Sequence, residues 1–210
     1  ENADGSVLKE DVLKYGETPA YTGSAPTKAG DAAHSYTFKG WSPAVSTVSG
    51  DVTYTAEFTE STNKYTVTWN NADGKTLETD TIAYGETPKY EGETPTKAAD
   101  AQYTYAFKGW SPKIEAVTGN QTYTAEYTPT LRSYTVTWKN YDDSVLGTDS
   151  VVYGTTPVYS GETPSRDETE EYTYTFTGWN PSISMVTGDV AYTAQYKQEK
   201  RSYTITWKDE

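Results

Sequence analysis

One histidine, many carboxylates and a set of lysines are the side chains in this sequence that could do chemistry. His34 is the only histidine, and cysteine is absent. A general base or a nucleophile needs a partner that positions and activates it, and no second histidine or cysteine can supply one here. The sequence therefore offers no residue set typical of acid–base or nucleophilic catalysis, and we expect no enzyme activity.

The acidic residues could bind a metal ion only if several of their oxygens converged on one site. A calcium-binding loop has closely spaced carboxylates, as in D-x-D-x-D-G, and this spacing is absent from the sequence. Asp73 is followed by Gly74, a pair that is typical of a tight hairpin turn. We therefore expect neither a metal ion nor a cofactor.

Charge and composition narrow the classes of partner and of fold. The chain carries 17 basic and 30 acidic residues, a net charge of -13, which argues against a nucleic acid or an anionic lipid as the partner. Its 20 tyrosines, 6 tryptophans and abundant threonine are typical of β-strands with large aromatic side chains in the core. No apolar run approaches the ~20 residues of a membrane span, and the N-terminal residues do not resemble a basic and apolar leader.

The sequence repeats with a period of 69 residues. The recurring pairs are Tyr15-Gly16, Tyr84-Gly85 and Tyr153-Gly154, together with Gly40-Trp41, Gly109-Trp110 and Gly178-Trp179. A fixed period without insertions or deletions predicts a tandem array of one small module. We expect polar six-residue linkers at 59–64, 128–133 and 197–202, and because they are short, we expect the modules to form an elongated rod.

Strict alternation of side chains assigns strands within each copy. Tyr172, Tyr174 and Phe176 fall on one face and threonines on the other, and 123–127 and 134–138 alternate in the same way. Such alternation predicts strands with one face buried and one face in water. The fold class is therefore mainly β, although a small α+β module is possible.

Two segments of each copy depart from this regular pattern. Leu77 has the opposite parity to Ile82 and Tyr84 on the second strand, which predicts a β-bulge between them. One short helical turn is the most that we expect in 97–102, and the same holds for 114–119.

The motifs of the repeat resemble those of a known family. Each copy contains a form of FKGW, at 38–41 and 107–110 and as FTGW at 176–179. The second of these is preceded by YTVTW and TPTK and followed by YTAEY, and the third copy has TPSR in place of TPTK. These motifs resemble the Listeria/Bacteroides repeat, the B-repeat type of internalin-like surface proteins, over essentially the whole chain. The resemblance implies tandem β-grasp-like modules, a place at the bacterial cell surface or cell wall, a role in spacing or adhesion, and no catalytic residues.

Stalk proteins of this context can carry a Lys–Asn isopeptide crosslink. Lys39 and Lys108 occupy the second position of FKGW, but the third copy has Thr177 there. No lysine shared by all copies supports such a bond, and we interpret these residues as surface lysines.

The three tryptophans of the Gly-Trp pairs could form a series of ligand sites, one in each copy. Trp41, Trp110 and Trp179 recur regularly and could stack on sugar rings. A Gly-Trp pair at a strand end is also typical of a core aromatic that packs closely on its neighbours. Exposed rings on successive copies would favour a binding module, whereas packed rings would favour a spacer.

Both ends of the chain hold incomplete modules if each module begins at its YTVTW strand. The copies are then 1–60, which lacks a first strand, 65–129 and 134–198; we call them copy 1, copy 2 and copy 3. Residues 203–210 are either the first strand of a further repeat or a donor strand. In a second possible frame, 203–210 would close copy 3 and the modules would run from about Asn2 to Asn70.

A lone strand has no partners for its backbone N–H and C=O groups. We therefore expect Tyr203, Ile205 and Trp207 to insert into copy 1 of a neighbouring chain by strand addition. Head-to-tail repetition of that contact would build a fibre.

The sequence thus predicts a structural repeat segment of a secreted bacterial surface protein, acting as a stalk, spacer or extracellular fibre element. The alternative is an adhesive module that binds a host protein or a cell-surface glycan. The expected partners are copies of the chain itself, a host protein or a glycan, and neither nucleic acid nor a membrane-spanning segment is expected.

Overall fold

The computed structural model describes all 210 residues and consists of ten β-strands without a helix. The strands are β1 (His34–Ser42), β2 (Thr55–Thr62), β3 (Lys64–Asn70), β4 (Thr76–Ala83), β5 (Tyr103–Ser111), β6 (Gln121–Leu131), β7 (Ser133–Lys139), β8 (Val145–Val152), β9 (Tyr172–Asn180) and β10 (Val190–Lys200). The mainly β prediction is confirmed. The structure has no helix with the length and apolar character needed to cross a membrane.

The two short helical turns allowed for in the sequence do not form. In 97–102 the Asp100 carboxylate accepts the backbone N–H of Gln102 at 2.8 Å, a local bond that competes with helical hydrogen bonding. In 114–119 the backbone of Val117 bonds to Gly85 and Glu86 across the module. Both segments are therefore irregular loops.

Contacts along the chain separate two compact units. Unit one consists of Glu1–Pro95 and Lys108–Glu126, and unit two of Thr96–Phe107 and Tyr127–Glu210. The boundary runs through copy 2, because β5 and β6 each have residues in both units.

Copies 2 and 3 each contain a four-stranded sheet of the same topology. The strand orders are β4-β3-β6-β5 and β8-β7-β10-β9. In each sheet the first and last strands of the module lie side by side and parallel, with Trp69 paired to Tyr123 in one and Trp138 to Tyr192 in the other. An antiparallel hairpin partner flanks this central pair on either side, which fits a β-grasp-like arrangement that lacks the helix.

The aromatic faces of the strands turn inward, as the alternation predicts. In β3, Val67 and Trp69 have no exposed surface, whereas Thr66 between Tyr65 and Val67 is exposed. Each complete copy has one small cluster of buried side chains. The clusters are Val67, Trp69, Val117 and Tyr123 in copy 2, and Val136, Trp138, Val186 and Tyr192 in copy 3.

A bulge resolves the parity conflict on the second strand. Trp69 pairs with Glu78 while Asn70 pairs with Thr76, so that Leu77 is the extra residue. The β-bulge predicted from the sequence is confirmed, and it lets Ile82 face the core although Leu77 has the opposite parity.

The FKGW motif forms a second bulge. Phe38 pairs with Phe58 and Gly40 with Glu57, so that Lys39 is the extra residue. Gly40 has φ of 153°, a conformation that side-chain-bearing residues rarely adopt. The glycine thus permits the turn of backbone that directs Trp41 toward its own module.

Copy 1 contains only a two-stranded sheet of β1 and β2. Residues 7–14, one period before β4, are not a strand. An isolated segment forms no β ladder, and no strand equivalent to β3 lies beside these residues.

The joins between copies are strands rather than the expected linker loops. β2 and β6 extend to Thr62 and Leu131, and the next copies begin with β3 at Lys64 and β7 at Ser133. A single residue, Asn63 or Arg132, therefore separates the last strand of one copy from the first strand of the next.

Candidate assembly site

The tryptophan of the first strand is the centre of each complete core. In copy 2, Trp69 is fully buried, and its ring centroid lies 4.7 Å from that of Tyr123, 4.8 Å from that of Trp110 and 5.6 Å from that of Tyr90. Aromatic pairs of this kind contribute about 0.5–1.5 kcal/mol each beyond the burial of their area. The first strand therefore supplies the side chain around which the rest of the module packs.

Two hydrogen bonds fix the register of that strand. Trp69 Nε1 donates to Asp80 Oδ2 at 2.8 Å, and the backbone N–H of Thr66 donates to Asn120 Oδ1 at 2.9 Å. A slip of one residue would turn Trp69 to the opposite face of the sheet. The two bonds thus fix the position of the tryptophan in the module.

Copy 3 repeats this arrangement. Trp138 is 1 % exposed and lies 5.1 Å from Tyr192 between ring centroids. Trp138 Nε1 donates to Asp149 Oδ2 at 2.6 Å, and the backbone N–H of Thr135 donates to Asp189 Oδ1 at 2.7 Å. The contacts are therefore a property of the repeat and not of one copy.

Copy 1 presents the same groove without the strand. A cavity of about 640 Å³ opens among the residues that would surround the missing tryptophan, and we call it the open groove. The residues of the open groove that correspond to the partners of Trp69 are Asp11, Tyr21, Trp41, Asp51 and Tyr54.

Several apolar side chains around the open groove are exposed to solvent. Val12 is fully exposed, Tyr15 is 87 % exposed and Leu13 is 38 % exposed. One period later, Ile82 occupies the position of Leu13 and packs against the core of copy 2. The first strand is what covers this surface in a complete copy.

The candidate strand at the other end of the chain is also uncovered. Tyr203, Ile205 and Trp207 are 64, 70 and 91 % exposed, and residues 203–210 form no strand. The sheet of copy 3 is complete without them. By the period, Trp207 corresponds to Trp138, which is buried.

The chain enters this terminal segment through the same contacts that it makes at both internal joins. At each join a backbone N–H, a side chain and a tyrosine hydroxyl donate to three successive carbonyl oxygens in the loop before the third strand of the preceding copy. The backbone bonds are Asn63 to Ala33, Arg132 to Gln102 and Arg201 to Glu171. The side-chain bonds are Asn63 to Asp31, Arg132 to Asp100 and Arg201 to Thr169. The hydroxyl bonds are Tyr65 to Ala32 at 2.7 Å, Tyr134 to Ala101 at 2.6 Å and Tyr203 to Glu170 at 2.5 Å.

A carboxylate shapes the loop that receives these bonds in copy 2. Asp100 accepts hydrogen bonds from the Tyr105 hydroxyl and from the backbone N–H groups of Tyr103 and Gln102, and these bonds lower the pKa of Asp100. In copy 3 the corresponding residue is Thr169, whose hydroxyl cannot titrate in the same range.

His34 lies beside the same loop in copy 1. The backbone N–H groups of His34 and Ala33 donate to Asp31 and lower the pKa of that carboxyl. The His34 ring lies 3.6 Å from Asp31 and 3.6 Å from Glu60. Within the structure no group of three or more histidine or acidic side chains is placed to hold a metal ion.

The tryptophans of the Gly-Trp pairs pack inside their own copies. They are half-buried, and each contacts a tyrosine from the loop that follows the second strand. The centroid distances are 5.0 Å for Trp41 and Tyr21, 4.8 Å for Trp110 and Tyr90, and 5.0 Å for Trp179 and Tyr159. These rings are core aromatics rather than an exposed ladder of ligand sites.

The lysines of FKGW make surface ion pairs. Lys39 and Lys108 are more than half exposed and lie 3.4 and 3.1 Å from Glu57 and Glu126. Thr177 donates instead to the carbonyl of Gln195 at 3.2 Å. Exposed pairs of this kind contribute little to stability.

The sequence analysis named Tyr203, Ile205 and Trp207 as candidate strand contacts, which stays a prediction, and it did not name the residues that line the open groove. Asp11 and Asp51 carry no motif of their own, and only their positions one period before Asp80 and Asn120 mark them. The period would have found them once the partners of Trp69 were known, but those partners come from distant parts of the chain.

Solved structures that are similar to the chain include a repeat from a streptococcal cell surface protein. No family model matches the chain, and no curated protein matches it. The chain is similar to the Streptococcal High Identity Repeats in Tandem (SHIRT) domains 3-4 from a cell surface protein, at 15 % identity over 65 % of this chain and 99 % of that chain, with a TM-score of 0.30. That structure is a bacterial surface repeat. The resemblance of the motifs to the Listeria/Bacteroides repeat stays a prediction.

Proposed function

We propose that the chain is a structural repeat segment of a secreted bacterial surface protein and acts as a stalk or spacer. The proposal rests on the hydrogen bonds that are repeated at each join between copies. The same three donors bond to the same three carbonyl oxygens after copy 1, after copy 2 and after copy 3. A spacer of tandem modules needs a connection of this kind, because a flexible linker would let neighbouring modules swivel.

Chain geometry adds to the stiffness of each join. Only Asn63 or Arg132 separates the closing strand of one copy from the first strand of the next. The backbone carbonyls of these two residues also accept the N–H groups of Tyr84 and Tyr153 at 2.9 Å. Each separating residue is thus bonded to the copy before it and to the copy after it.

The tryptophans that could have formed ligand sites make packing contacts instead. The Gly-Trp tryptophans pack on tyrosines of their own copies, which does not favour the adhesive alternative. The motifs that resemble the Listeria/Bacteroides repeat support a place outside a bacterial cell.

Distance measurements between two copies test the spacer proposal. The chain has no cysteine, so Thr118→Cys with Thr187→Cys places spin labels at equivalent exposed positions of copies 2 and 3. Pulsed electron paramagnetic resonance should give one narrow distance distribution. The double variant Arg132→Ala, Tyr134→Phe removes two of the three bonds and should broaden it. A broad distribution without those two substitutions would rule out a stiff spacer.

A further inference from the structure

We propose that the backbone N–H groups of Ser160 and Gly161 in copy 3 bind the carboxylate of a glutamate side chain from an extended peptide, and that this peptide pairs with the free edge of β8. These two N–H groups and the space over Gly147 are called the carboxylate site. The inference goes beyond the spacer function, which depends on the joins and not on this part of copy 3.

In copy 2 the equivalent N–H groups hold a carboxylate of the chain itself. Glu78 on β4 accepts the backbone N–H of Gly92 at 2.9 Å and that of Glu91 at 3.1 Å. Hydrogen bonds to an ionised acceptor are roughly twice as strong as those between neutral groups. The loop that follows the second strand therefore binds a carboxylate through its backbone.

Copy 3 has the same loop without the carboxylate. One period after Glu78 the residue is Gly147, which has the same place in the strand pairing. The N–H groups of Ser160 and Gly161 have no acceptor within the chain, and both residues are exposed. Two donors that bind a carboxylate in copy 2 are thus free to bind one from outside in copy 3.

The loop keeps its conformation between the two copies. In each copy a tyrosine ring lies close against the glycine two residues later, Tyr90 on Gly92 and Tyr159 on Gly161. The centroid distance from this ring to the Gly-Trp tryptophan is 4.8 Å in copy 2 and 5.0 Å in copy 3. The distance to the tryptophan of the first strand is 5.6 and 5.2 Å. The donors of copy 3 are therefore placed as those of copy 2 are.

The space that the Glu78 side chain fills in copy 2 is open at Gly147. A Cβ added to Gly147 would meet no heavy atom within 4 Å. The residue does not have a positive φ, so the backbone does not require a glycine here. A glycine inside a strand often marks a place where a ligand or another backbone approaches closely. An incoming carboxylate can therefore reach the two donors past Gly147.

The charges of the loop do not oppose a carboxylate more in copy 3 than in copy 2. Lys89 and Glu91 form an ion pair at 2.8 Å in copy 2, and copy 3 has the uncharged Val158 and Ser160 in their places. The next acidic residue of the loop, Glu162, is present in copy 2 as well. Since copy 2 binds a carboxylate beside that acid, copy 3 can do the same.

The edge of β8 offers contacts for the rest of the peptide. β8 is an outer strand of its sheet, so that one row of its N–H and C=O groups has no strand partner. Val145, Leu146 and Val158 are 60, 37 and 78 % exposed, whereas copy 2 exposes no large apolar side chain at the corresponding positions. A strand added to a free edge gains affinity from backbone bonds and specificity from side-chain sites. A glutamate with apolar neighbours therefore fits this edge.

NMR titration of the full chain with a synthetic peptide tests the proposal. The probe is acetyl-Thr-Val-Glu-Val-Thr-amide, and the matched control peptide has glutamine in place of glutamate. We expect the glutamate peptide to shift the amide resonances of Ser160, Gly161 and β8 with a dissociation constant on the order of 1 mM, because the site is small and open. The glutamine peptide should bind about tenfold more weakly, because it loses the charge of the acceptor.

Matched substitutions exchange the site between the copies. Gly147→Glu supplies the carboxylate from β8 itself and should abolish binding of the peptide. Gly147→Ala adds only a Cβ in open space and should leave binding nearly unchanged. Glu78→Gly should release the N–H groups of Glu91 and Gly92 and create a second site in copy 2.

Two results would overturn the carboxylate site. They are equal shifts with the glutamate and glutamine peptides, and the absence of any shift at Ser160 and Gly161 at about 10 mM peptide. Sodium glucuronate is the probe for an acidic sugar, and shifts as large as those with the peptide would overturn the choice of a peptide as the ligand. None of these results would affect the distance test of the spacer.

Discussion

Copy 1 and copy 3 share most of their core-forming residue types, yet only copy 3 has a closed core. Trp138 and Tyr192 are almost completely buried in copy 3, whereas Tyr54, which corresponds to Tyr192, is half-buried beside a cavity in copy 1. The difference is one strand of six or seven residues. The comparison shows that the first strand of a module closes its core.

Two segments of nearly the same sequence also differ in structure. Residues 133–138 and 202–207 are nearly identical, but the first segment is a central strand and the second has no ladder partner. Both begin with a tyrosine hydroxyl bonded to the preceding copy. Residues 133–138 pair with β8 and β10, both of which follow them in the chain.

The largest expected effect comes from removing the tryptophan in each setting. Trp138→Ala should lower the free energy of unfolding of copy 3 by about 3–5 kcal/mol, because it leaves a large cavity in the core. Hydrogen exchange of the β7 amides measures this energy for copy 3 alone. Trp207→Ala, studied at dilution so that chains stay apart, should change it by less than about 0.5 kcal/mol. Equal effects of the two substitutions would mean that the terminal segment packs within its own chain.

Removing the acceptor of the tryptophan N–H should destabilise copy 3 but not copy 1, by less than removing the tryptophan itself. Asp149→Ala leaves Trp138 Nε1 without an acceptor in the core, which should cost about 1–3 kcal/mol. The matched change in copy 1 is Asp11→Ala, which should have almost no effect on a dilute chain because Asp11 is exposed and accepts no tryptophan there. Chemical denaturation with hydrogen-exchange readout on copies 1 and 3 compares the two variants. A large loss from Asp11→Ala would contradict an open groove.

The join should be sensitive to a single hydroxyl. Tyr134→Phe removes the bond to the Ala101 carbonyl and should destabilise the join by about 0.5–1.5 kcal/mol, which exchange of the Arg132 amide reports. Tyr203→Phe removes the equivalent bond where no further copy follows in the structure, and it should affect copy 3 less. The prediction fails if the Arg132 amide is equally protected with and without the Tyr134 hydroxyl.

The smallest expected effect is a pH dependence of the loops at the joins. Hydrogen bonds lower the pKa of Asp31 and Asp100 from an ordinary value of 3.8, so their stabilisation is fully present above that value and is lost as the pH falls through the lowered pKa. The corresponding loop of copy 3 has Thr169 and should not respond. Amide chemical shifts of Tyr103 and Tyr172 in an acid titration should therefore differ, with the larger change at Tyr103, whose N–H donates to the carboxyl of Asp100. Identical titration of both amides would exclude the Asp100 bonds as the cause.

Much of the fold follows from local pattern. Alternation placed the aromatic faces of β6, β7 and β9, and the parity of Leu77 predicted the bulge that the structure has. The prediction of linkers at 59–64 and 128–133 was wrong, because these residues lie in strands. Polar side chains on an exposed strand face look the same in sequence as polar residues in a loop. The helical turns failed for a related reason, since long-range backbone bonds of Val117 replaced local ones.

In the candidate site, too, the sequence predicted some residues and not others. The sequence alone predicts that Tyr203, Ile205 and Trp207 belong to a first strand, because their types and spacing repeat those of earlier strands. It did not identify Asp11 and Asp51, whose roles depend on which distant strand they face.

The sequence by itself determined the period of 69 residues, the strand faces and the pattern of the segment that completes a module, because these features depend on residues close together in the chain. Only the tertiary structure decided that the first and last strands of a module lie side by side, that copy 1 keeps an open groove, and that each join is held by three successive carbonyl oxygens. Those features depend on pairings between residues far apart in the chain, and no local periodicity encodes which of several similar strands meets which groove.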